Sequence, residues 1–211
     1  GKIQGTVEYY MVNRAQKALE RADCAIVVVN GEEGLTDGDK RIAKLSLVAG
    51  KACVFAINKW DLKEDSEDFK NPKTAVKKEF LRVLRDEFPE LSYAQVVFTS
   101  AKEGVGLEAV LRMASMSLQN YNFRISTGAL NRIVQDATYE RPLTRKGKPI
   151  RIYYATQVST RPPTIVLFTN DPDLLHFSYQ RYIENQIRKV YPLEGTPINI
   201  MVRSSHERKE R

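Results

Sequence analysis

The chain has 211 residues, of which 42% are hydrophobic and 28% are charged, so it has room for one large or two small globular cores. Two cysteines are too few for the disulfide framework of a small secreted domain, and Cys24 and Cys53 both lie in apolar runs where a buried thiol is expected. No apolar run approaches the roughly 18 residues of a membrane span, and the first residues lack the apolar block of a secretory signal. We therefore expect a cytoplasmic protein with no membrane partner.

The formal charge of +7 is unevenly distributed along the chain. Residues 1–119 hold 18 basic and 18 acidic side chains, whereas residues 120–211 hold 15 basic and 8 acidic ones. This asymmetry predicts two domains, 1–119 and 120–203, followed by a flexible tail over 204–211. The second domain is the one expected to meet a polyanion.

The first part alternates apolar runs of strand length with longer amphipathic stretches, which is typical of parallel strands joined by crossover helices. Residues 63–71 are predicted to form a charged loop. The predicted order is αβαβαβα, with helices over 7–21, 37–49, 72–88 and 106–119 and strands over 24–29, 52–57 and 95–98.

The second part has a different pattern, predicted as αββαβ. A helix over 127–139, capped by Ser126 or Thr127, precedes a basic turn at 145–148. Only five residues separate the next two strands, so we expect an antiparallel hairpin. The strands are predicted over 150–158, 164–168 and 198–202, with a helix that opens at 171–173 and runs to about 190.

The motif Asn58-Lys59-Trp60-Asp61 follows directly after the apolar strand over 52–57. In open α/β sheets, ligands bind at the carboxyl ends of the strands. A guanine ring presents its N1–H and its 2-amino group side by side, so the Asp61 carboxylate can accept both, whereas adenine lacks this pair of donors. The Asn58 amide can serve the other edge of the base and tie neighbouring loops, and the Lys59 stem can cover the ring. The motif predicts a guanine site.

A second loop, Thr99-Ser100-Ala101-Lys102, follows the strand over 95–98. We expect the backbone N–H of Ala101 to donate to the guanine O6 and the Ser100 hydroxyl to hold Asp61. The alternative is a plain strand-to-helix turn at Asn58 and Asp61, with Ser100 as a helix cap. The candidate base-binding residues are Asn58, Lys59, Asp61, Ser100, Ala101 and Lys102.

At these residues the chain resembles the translational GTPases, whose base-recognition motifs are N-K-x-D and S-A-K. With GKIQGTVEYYMVNRAQKALERADCAIVVVN, GLTDGDKRIA, NKWDL and the basic αββαβ module, it resembles the EngA/Der family of bacterial ribosome-assembly GTPases over effectively its whole length. The match is to the second GTPase domain, from after switch II, and to the KH-like domain. The resemblance implies an α/β fold with a partial P-loop GTPase-type parallel sheet and a smaller α+β KH-like domain. It also implies GTP or GDP as ligand, the large ribosomal subunit or its RNA as partner, and a bacterial or organellar location.

The sequence departs from the family pattern because these 211 residues contain neither a G-x-x-x-x-G-K-[ST] phosphate loop nor a D-x-x-G motif in strand context. Phosphoryl transfer needs a phosphate cradle and a metal ion. We therefore assign no catalytic residue, expect no GTP hydrolysis by these residues alone, and expect Mg²⁺ only with the segment that carries those motifs. Gly104-Val105-Gly106 is interpreted as a structural turn, and no ligand spacing predicts a metal site within the protein.

Basic residues that are candidates for RNA contact cluster in the second part. Tyr153 and Tyr154 are adjacent on a strand, so one of them can stack on a base. The loop in which a KH domain carries G-x-x-G reads TNDPD here, which disfavours close approach of a phosphate backbone. Docking on a protein surface therefore remains an alternative, as does a non-enzymatic RNA-binding protein with a degenerate α/β scaffold. The RNA candidates are Arg141, Arg145, Lys146, Lys148, Arg151 and Arg161.

Overall fold

The computed structural model describes residues 2–64, 73–145 and 147–205, except for the side chains of residues 2–11, 64, 73, 145 and 148. It divides into two compact units. The first comprises Gly1–Asn120 and Glu194–Pro197, and the second comprises Tyr121–Leu193 and Ile198–Arg211. Residues 206–211 of the expected tail lie outside the described residues. Within the described ranges, no helix combines the length and the apolar character that crossing a bilayer requires.

The first unit contains a parallel three-stranded sheet in the order β1-β2-β3. The predicted αβαβαβα order is confirmed, with one helix more than expected, because α3 begins within the Asn58–Asp61 motif. The helices are α1 (Lys2–Arg21), α2 (Asp37–Val48), α3 (Trp60–Glu64), α4 (Lys73–Glu87) and α5 (Leu107–Tyr121), and the strands are β1 (Cys24–Asn30), β2 (Ala52–Asn58) and β3 (Gln95–Phe98).

The central strand β2 positions the candidate site. Its first six residues are all buried, as expected for the continuous apolar run of a strand with a neighbour on each side. Ile57 pairs with Phe98 and Asn58 pairs with Asn30, so the carboxyl ends of all three strands meet at one edge of the sheet. The loops that follow β2 and β3 are therefore neighbours.

Residues 194–197 complete the first unit at the opposite end of β2. The N–H of Cys53 donates to the carbonyl of Gly195 at 2.8 Å, and the N–H of Gly195 donates to the carbonyl of Tyr93 at 2.7 Å. The fully buried Thr196 donates its hydroxyl to the carbonyl of Ser117 in α5. A short segment distant in sequence thus satisfies backbone groups next to β2 and β3.

The second unit contains a mixed three-stranded sheet, β6-β7-β8, and two packed helices. The predicted antiparallel pair is confirmed in β6 and β7, and β8 runs parallel to β7. Ser126 is the cap of the first helix, and its hydroxyl accepts from the N–H of Ala129. The elements are α6 (Thr127–Glu140), β4 (Leu143–Arg145), β5 (Lys148–Ile150), β6 (Ile152–Ser159), β7 (Thr164–Thr169), α7 (Phe177–Val190) and β8 (Asn199–Ser204).

Two sequence-based boundaries in this unit were wrong. The basic turn joins two short strands, β4 and β5, which were not expected. The last helix does not open at 171–173, because Pro172–Leu174 form a separate 3₁₀ turn and α7 begins at Phe177. The break allows Leu175 to be buried in the core, and the imidazole of His176 then caps α7 by accepting from the N–H of Ser178.

The core of the second unit lies between one face of the sheet and the helices α6 and α7. Leu130 and Ile183 are fully buried there against Ala155 and Leu167 of the sheet. Gln157 is a buried polar residue whose amide accepts from the N–H of Ile125 and donates to a neighbouring carbonyl. Because its hydrogen bonds are made inside the core, the cost of burying this amide is offset.

Candidate functional site

The first loop of the candidate site is held by an unusual backbone turn and an aromatic anchor. Lys59 has a φ of 58°, a left-handed conformation that costs a non-glycine residue about 1 kcal/mol, and such strain is concentrated at functional sites. The N–H of the next residue, Trp60, donates to the carbonyl of Thr99 at 3.0 Å. The buried Trp60 ring lies 4.3 Å from the Phe98 ring between centroids. Asp61 follows this anchor directly.

The second loop is tied to the first through Asn58. The Asn58 side-chain oxygen accepts from the N–H of Ala101 at 2.9 Å and from the hydroxyl of Thr99 at 3.4 Å. This is the loop-tying role that the sequence suggested for Asn58. The Ala101 N–H, which was expected to donate to the guanine O6, donates to Asn58 instead. To reach a base, this N–H would have to donate to both acceptors at once or give up its bond to Asn58.

Ser100 also differs from expectation. Its hydroxyl oxygen accepts from the N–H of Glu103 at 3.2 Å and does not hold Asp61. Ser100 and Val105 exchange two backbone hydrogen bonds of 3.0 Å, which closes the loop. Gly106 then follows with a φ of 79°, and a Cβ there would lie 2.6 Å from the carbonyl oxygen of Phe98. The interpretation of residues 104–106 as a structural turn is confirmed.

The two loops border a cavity of about 350 Å³ that is open to solvent. One carboxylate oxygen of Asp61 is buried and has no hydrogen-bond partner among the described residues. A buried acceptor without a partner costs about 1–3 kcal/mol, and more when it is charged, so a ligand that brings donors to this oxygen recovers that cost. The cavity is lined by Asn58, Lys59, Asp61, Leu62, Ser100, Ala101 and Lys102, which include all six predicted residues.

The two lysines of the cavity are exposed. The ammonium group of Lys102 lies 3.6 Å from a carboxylate oxygen of Glu103, and 80% of the Lys102 side chain is exposed. An ion pair in solvent of this kind contributes little to stability. Both lysines therefore remain available to cover a ligand with their aliphatic stems.

The RNA candidates do not form one cluster. The guanidinium of Arg141 lies 5.4 Å from the centre of the Tyr182 ring, and the side chain of Arg161 donates to Asn122 at 2.6 Å. Arg151 precedes β6 and Arg161 follows it, so the eight residues of this strand, about 25 Å, separate them. Lys146 lies outside the described residues, as do the side chains of Arg145 and Lys148. Along the chain, Arg145 and Lys148 lie in the two strands of the β4–β5 hairpin, and Arg151 follows directly after it.

Two family models match the chain. The Elongation factor Tu GTP binding domain matches residues 5–120, and the C-terminal KH-domain-like module of EngA bacterial GTPase enzymes matches residues 124–203. The chain belongs to the EngA/Der family of GTPases. The expected fold, a P-loop GTPase-type α/β sheet followed by a KH-like domain, is likewise confirmed.

Relatives of the EngA/Der family cover almost the whole chain. GTPase Der of Geobacillus sp. (strain WCH70) is 45% identical over 204 residues, which are 96% of this chain and 45% of that protein. GTPase Der of Ligilactobacillus salivarius is 44% identical over 205 residues, which are 96% of this chain and 45% of that protein. GTPase Der of Levilactobacillus brevis is 42% identical over 206 residues, which are 97% of this chain and 46% of that protein. The chain thus spans about half the length of the curated relatives it matches.

Trp60 is the residue of this EngA/Der site that sequence reasoning missed. It occupies the variable position of the N-K-x-D pattern, and it is the single tryptophan of the chain. Its ring also packs edge-on against Phe80, at 5.6 Å between centroids. A large aromatic residue directly after a strand was the available indication that this position anchors the loop.

Neither cysteine is suited to nucleophilic chemistry. Burial raises the pKa of Cys24 to about 11 and the pKa of Cys53 to about 12, so both thiols stay protonated near neutral pH. Within the part of the chain that the structure describes, no three or more His, Cys, Asp or Glu side chains form a group able to hold a metal ion.

Proposed function

We propose that this chain carries the base-reading part of a GTP-binding protein of large-subunit ribosome assembly, together with a domain that docks on ribosomal RNA. The observation that supports the guanine assignment is Asp61, which lines a cavity between both base-recognition loops and has one carboxylate oxygen without a hydrogen-bond partner in the described structure. A carboxylate in this position accepts two neighbouring donors in a fork, and the N1–H and 2-amino groups of guanine form such a pair.

The remaining contacts follow from the same geometry. The Asn58 oxygen is taken by Ala101, which leaves the Asn58 amide nitrogen as the donor for the opposite, acceptor-bearing edge of the base. The left-handed turn at Lys59 separates Asn58 from Asp61, so the two side chains can address different edges. Trp60, which lies between them in sequence, is buried and anchors the turn through its contacts with Phe80 and Phe98. A rigid site discriminates more strongly between bases.

Nucleosides test this base reading without any contribution from phosphate contacts. We expect guanosine to bind the chain, inosine to bind about 10-fold more weakly because it lacks the 2-amino group, and adenosine to bind not at all. The indole N–H of Trp60 gives a single resonance beside the site and reports each titration. Asp61→Ala should remove the difference between guanosine and inosine.

The matched control is Asp86→Ala, which removes an exposed carboxylate paired with Arg82 on α4. This variant should keep the full order of affinities. Equal binding of guanosine and adenosine by the unaltered chain, or an unchanged guanosine-to-inosine ratio in Asp61→Ala, would contradict the assignment of Asp61 as the base reader.

The RNA-docking part of the proposal rests on charge. The whole excess of +7 lies in residues 120–211, and each strand of the β4–β5 hairpin contains a basic residue, Arg145 or Lys148. Neutralised phosphates release counterions, so affinity for RNA should fall steeply with salt. A competing function, an RNA-binding protein with a degenerate α/β half, shares this behaviour but predicts no preference among nucleosides.

Changing Arg145, Lys146 and Lys148 together to Ala should flatten the salt dependence of RNA binding by about two units of the log–log slope, if each side chain contacts one phosphate of a single strand. A filter-binding salt series measures this slope. The control changes the exposed first-unit residues Lys44, Lys78 and Arg112 to Ala, which removes equal charge and should leave the slope unaltered. Equal flattening by both triple variants would refute a dedicated basic hairpin.

A further inference from the structure

The sheet β6-β7-β8 has one face that does not contribute to the core of the second unit. Side chains alternate between the two faces of a strand, and Ala155, Ile165 and Leu167 point toward α6 and α7. Tyr154 and Phe168 form the register pair next to Ala155 and Leu167, so their side chains lie on the opposite face. We call this opposite face the aromatic face; it carries Tyr154, Thr156, Phe168, Met201 and Arg203 around Val166, which is fully buried at its centre.

One row of the aromatic face runs across all three strands. Tyr154 pairs with Phe168, which pairs with Arg203. The two rings lie 6.0 Å apart between centroids at an angle of 40°, and both are partly exposed. Arg203 is exposed, and among the described residues no acidic side chain forms an ion pair with it. Two neighbouring rings and a cation beside them thus form a continuous row.

The second row is apolar and uncharged. Thr156 pairs with Val166, which pairs with Met201; Val166 is fully buried, Thr156 is partly exposed, and 43% of Met201 is exposed. The three strands read IYYATQVS, TIVLFT and NIMVRS, so they hold no acidic residue and Arg203 is their single charge. No side chain within these strands therefore repels a polyanion.

We propose that the aromatic face binds single-stranded RNA, with bases stacked on Tyr154 and Phe168 and a phosphate held by Arg203. The inference rests on the RNA-docking function proposed above and names a surface for it separate from the basic hairpin. Every base has a π-face that can stack on an aromatic ring, whereas the bases of a duplex are already stacked on one another. This mode needs no glycine loop to clamp the phosphate backbone, and the loop after β7 has none.

The test uses the whole chain and a short fluorescein-labelled oligouridylate, with affinity measured by fluorescence anisotropy. Tyr154→Leu and Phe168→Leu should each weaken binding about 10-fold, while the salt slope stays the same because no charge is lost. Arg203→Gln should lower the slope by about one unit. Tyr154→Phe keeps a ring and should bind within about twofold of the unaltered chain.

Tyr153 supplies a matched control because it adjoins Tyr154, is 55% exposed, and lies at an irregularity where it has no register partner in β7. Tyr153→Leu should leave the affinity within about twofold. A melting curve for each variant identifies loss of fold, and a well-folded Tyr154→Leu with unchanged affinity would overturn the proposal and mark the face as a protein contact.

The outcomes separate the two proposals. If Tyr154→Leu and Phe168→Leu bind normally while the triple hairpin variant binds weakly, RNA docking stands and the aromatic face is rejected. If the unaltered chain binds no oligouridylate at low salt, both are rejected. Loss of single-strand preference over a duplex of the same length in Tyr154→Leu would support stacking directly.

Discussion

Asp61→Asn is expected to change the preferred base from guanine to xanthine. The substitution replaces two acceptor oxygens by one acceptor and one donor, so the guanine 2-amino group meets an amide N–H. Xanthine carries a carbonyl at that position beside its N1–H, and the Asn amide satisfies both with one donated and one accepted hydrogen bond. Loss of a charged fork and burial of an unpaired donor should cost guanosine roughly 2–5 kcal/mol.

The measurement is a titration with guanosine and with xanthosine, followed through the Trp60 indole resonance in the unaltered chain and in the variant. Asp61→Leu is the control, since it removes the carboxylate without supplying an amide and should lose guanosine without gaining xanthosine. A guanosine-to-xanthosine ratio that is the same before and after Asp61→Asn would show that Asp61 does not read the base. The guanine proposal would then lose its main support.

The parallel sheet was predictable because each of its strands is a short apolar run that can be recognised in the sequence. The run over 52–57 is apolar without interruption, and β2 buries those residues because it has a neighbour on both sides. In contrast, β1 alternates between buried and more exposed residues, and 60% of Val28 is exposed. Sequence reasoning had no basis for the short α3, since five residues that begin inside a recognition motif carry no helical period.

The members of the candidate site were predictable, but their hydrogen bonds were not. Residue types and their place after β2 and β3 located both loops, which surround one cavity. Which acceptor takes the Ala101 N–H depends on the backbone path of each loop, and that path includes the left-handed Lys59. Such a conformation is set by the contacts of Trp60 and Thr99, which are made only in the folded state.

Contacts between distant segments of the chain were also beyond sequence reasoning. Residues 194–197 have no apolar period of their own, yet they bond to Cys53 and Tyr93 of the first unit. A boundary drawn from charge alone at residue 119 places them with the second domain. Their position follows from backbone groups that need partners near β2, and no local pattern encodes such a requirement.

Gly195→Ala is expected to destabilise the first unit by about 3 kcal/mol or more, because two effects combine. The φ of 73° is left-handed, which costs an alanine about 1 kcal/mol. A Cβ at this position would also overlap both the Oγ and the Cβ atom of Ser117, which is fully buried in α5. Relief of the overlap would break the hydrogen bonds of Gly195 to Cys53 and Tyr93, each worth about 1 kcal/mol.

Urea unfolding followed by Trp60 fluorescence measures this effect, because the single tryptophan reports the unit that contains residues 194–197. Gly34→Ala is the control for backbone strain alone, since its φ is 84° and a Cβ there meets nothing within 4 Å; it should cost about 1 kcal/mol. Ser117→Gly removes the atoms that the new Cβ would overlap, so the double variant should recover part of the loss, and the cycle isolates the steric part. If Gly195→Ala cost no more than Gly34→Ala, residues 194–197 would not be packed against α5 as described.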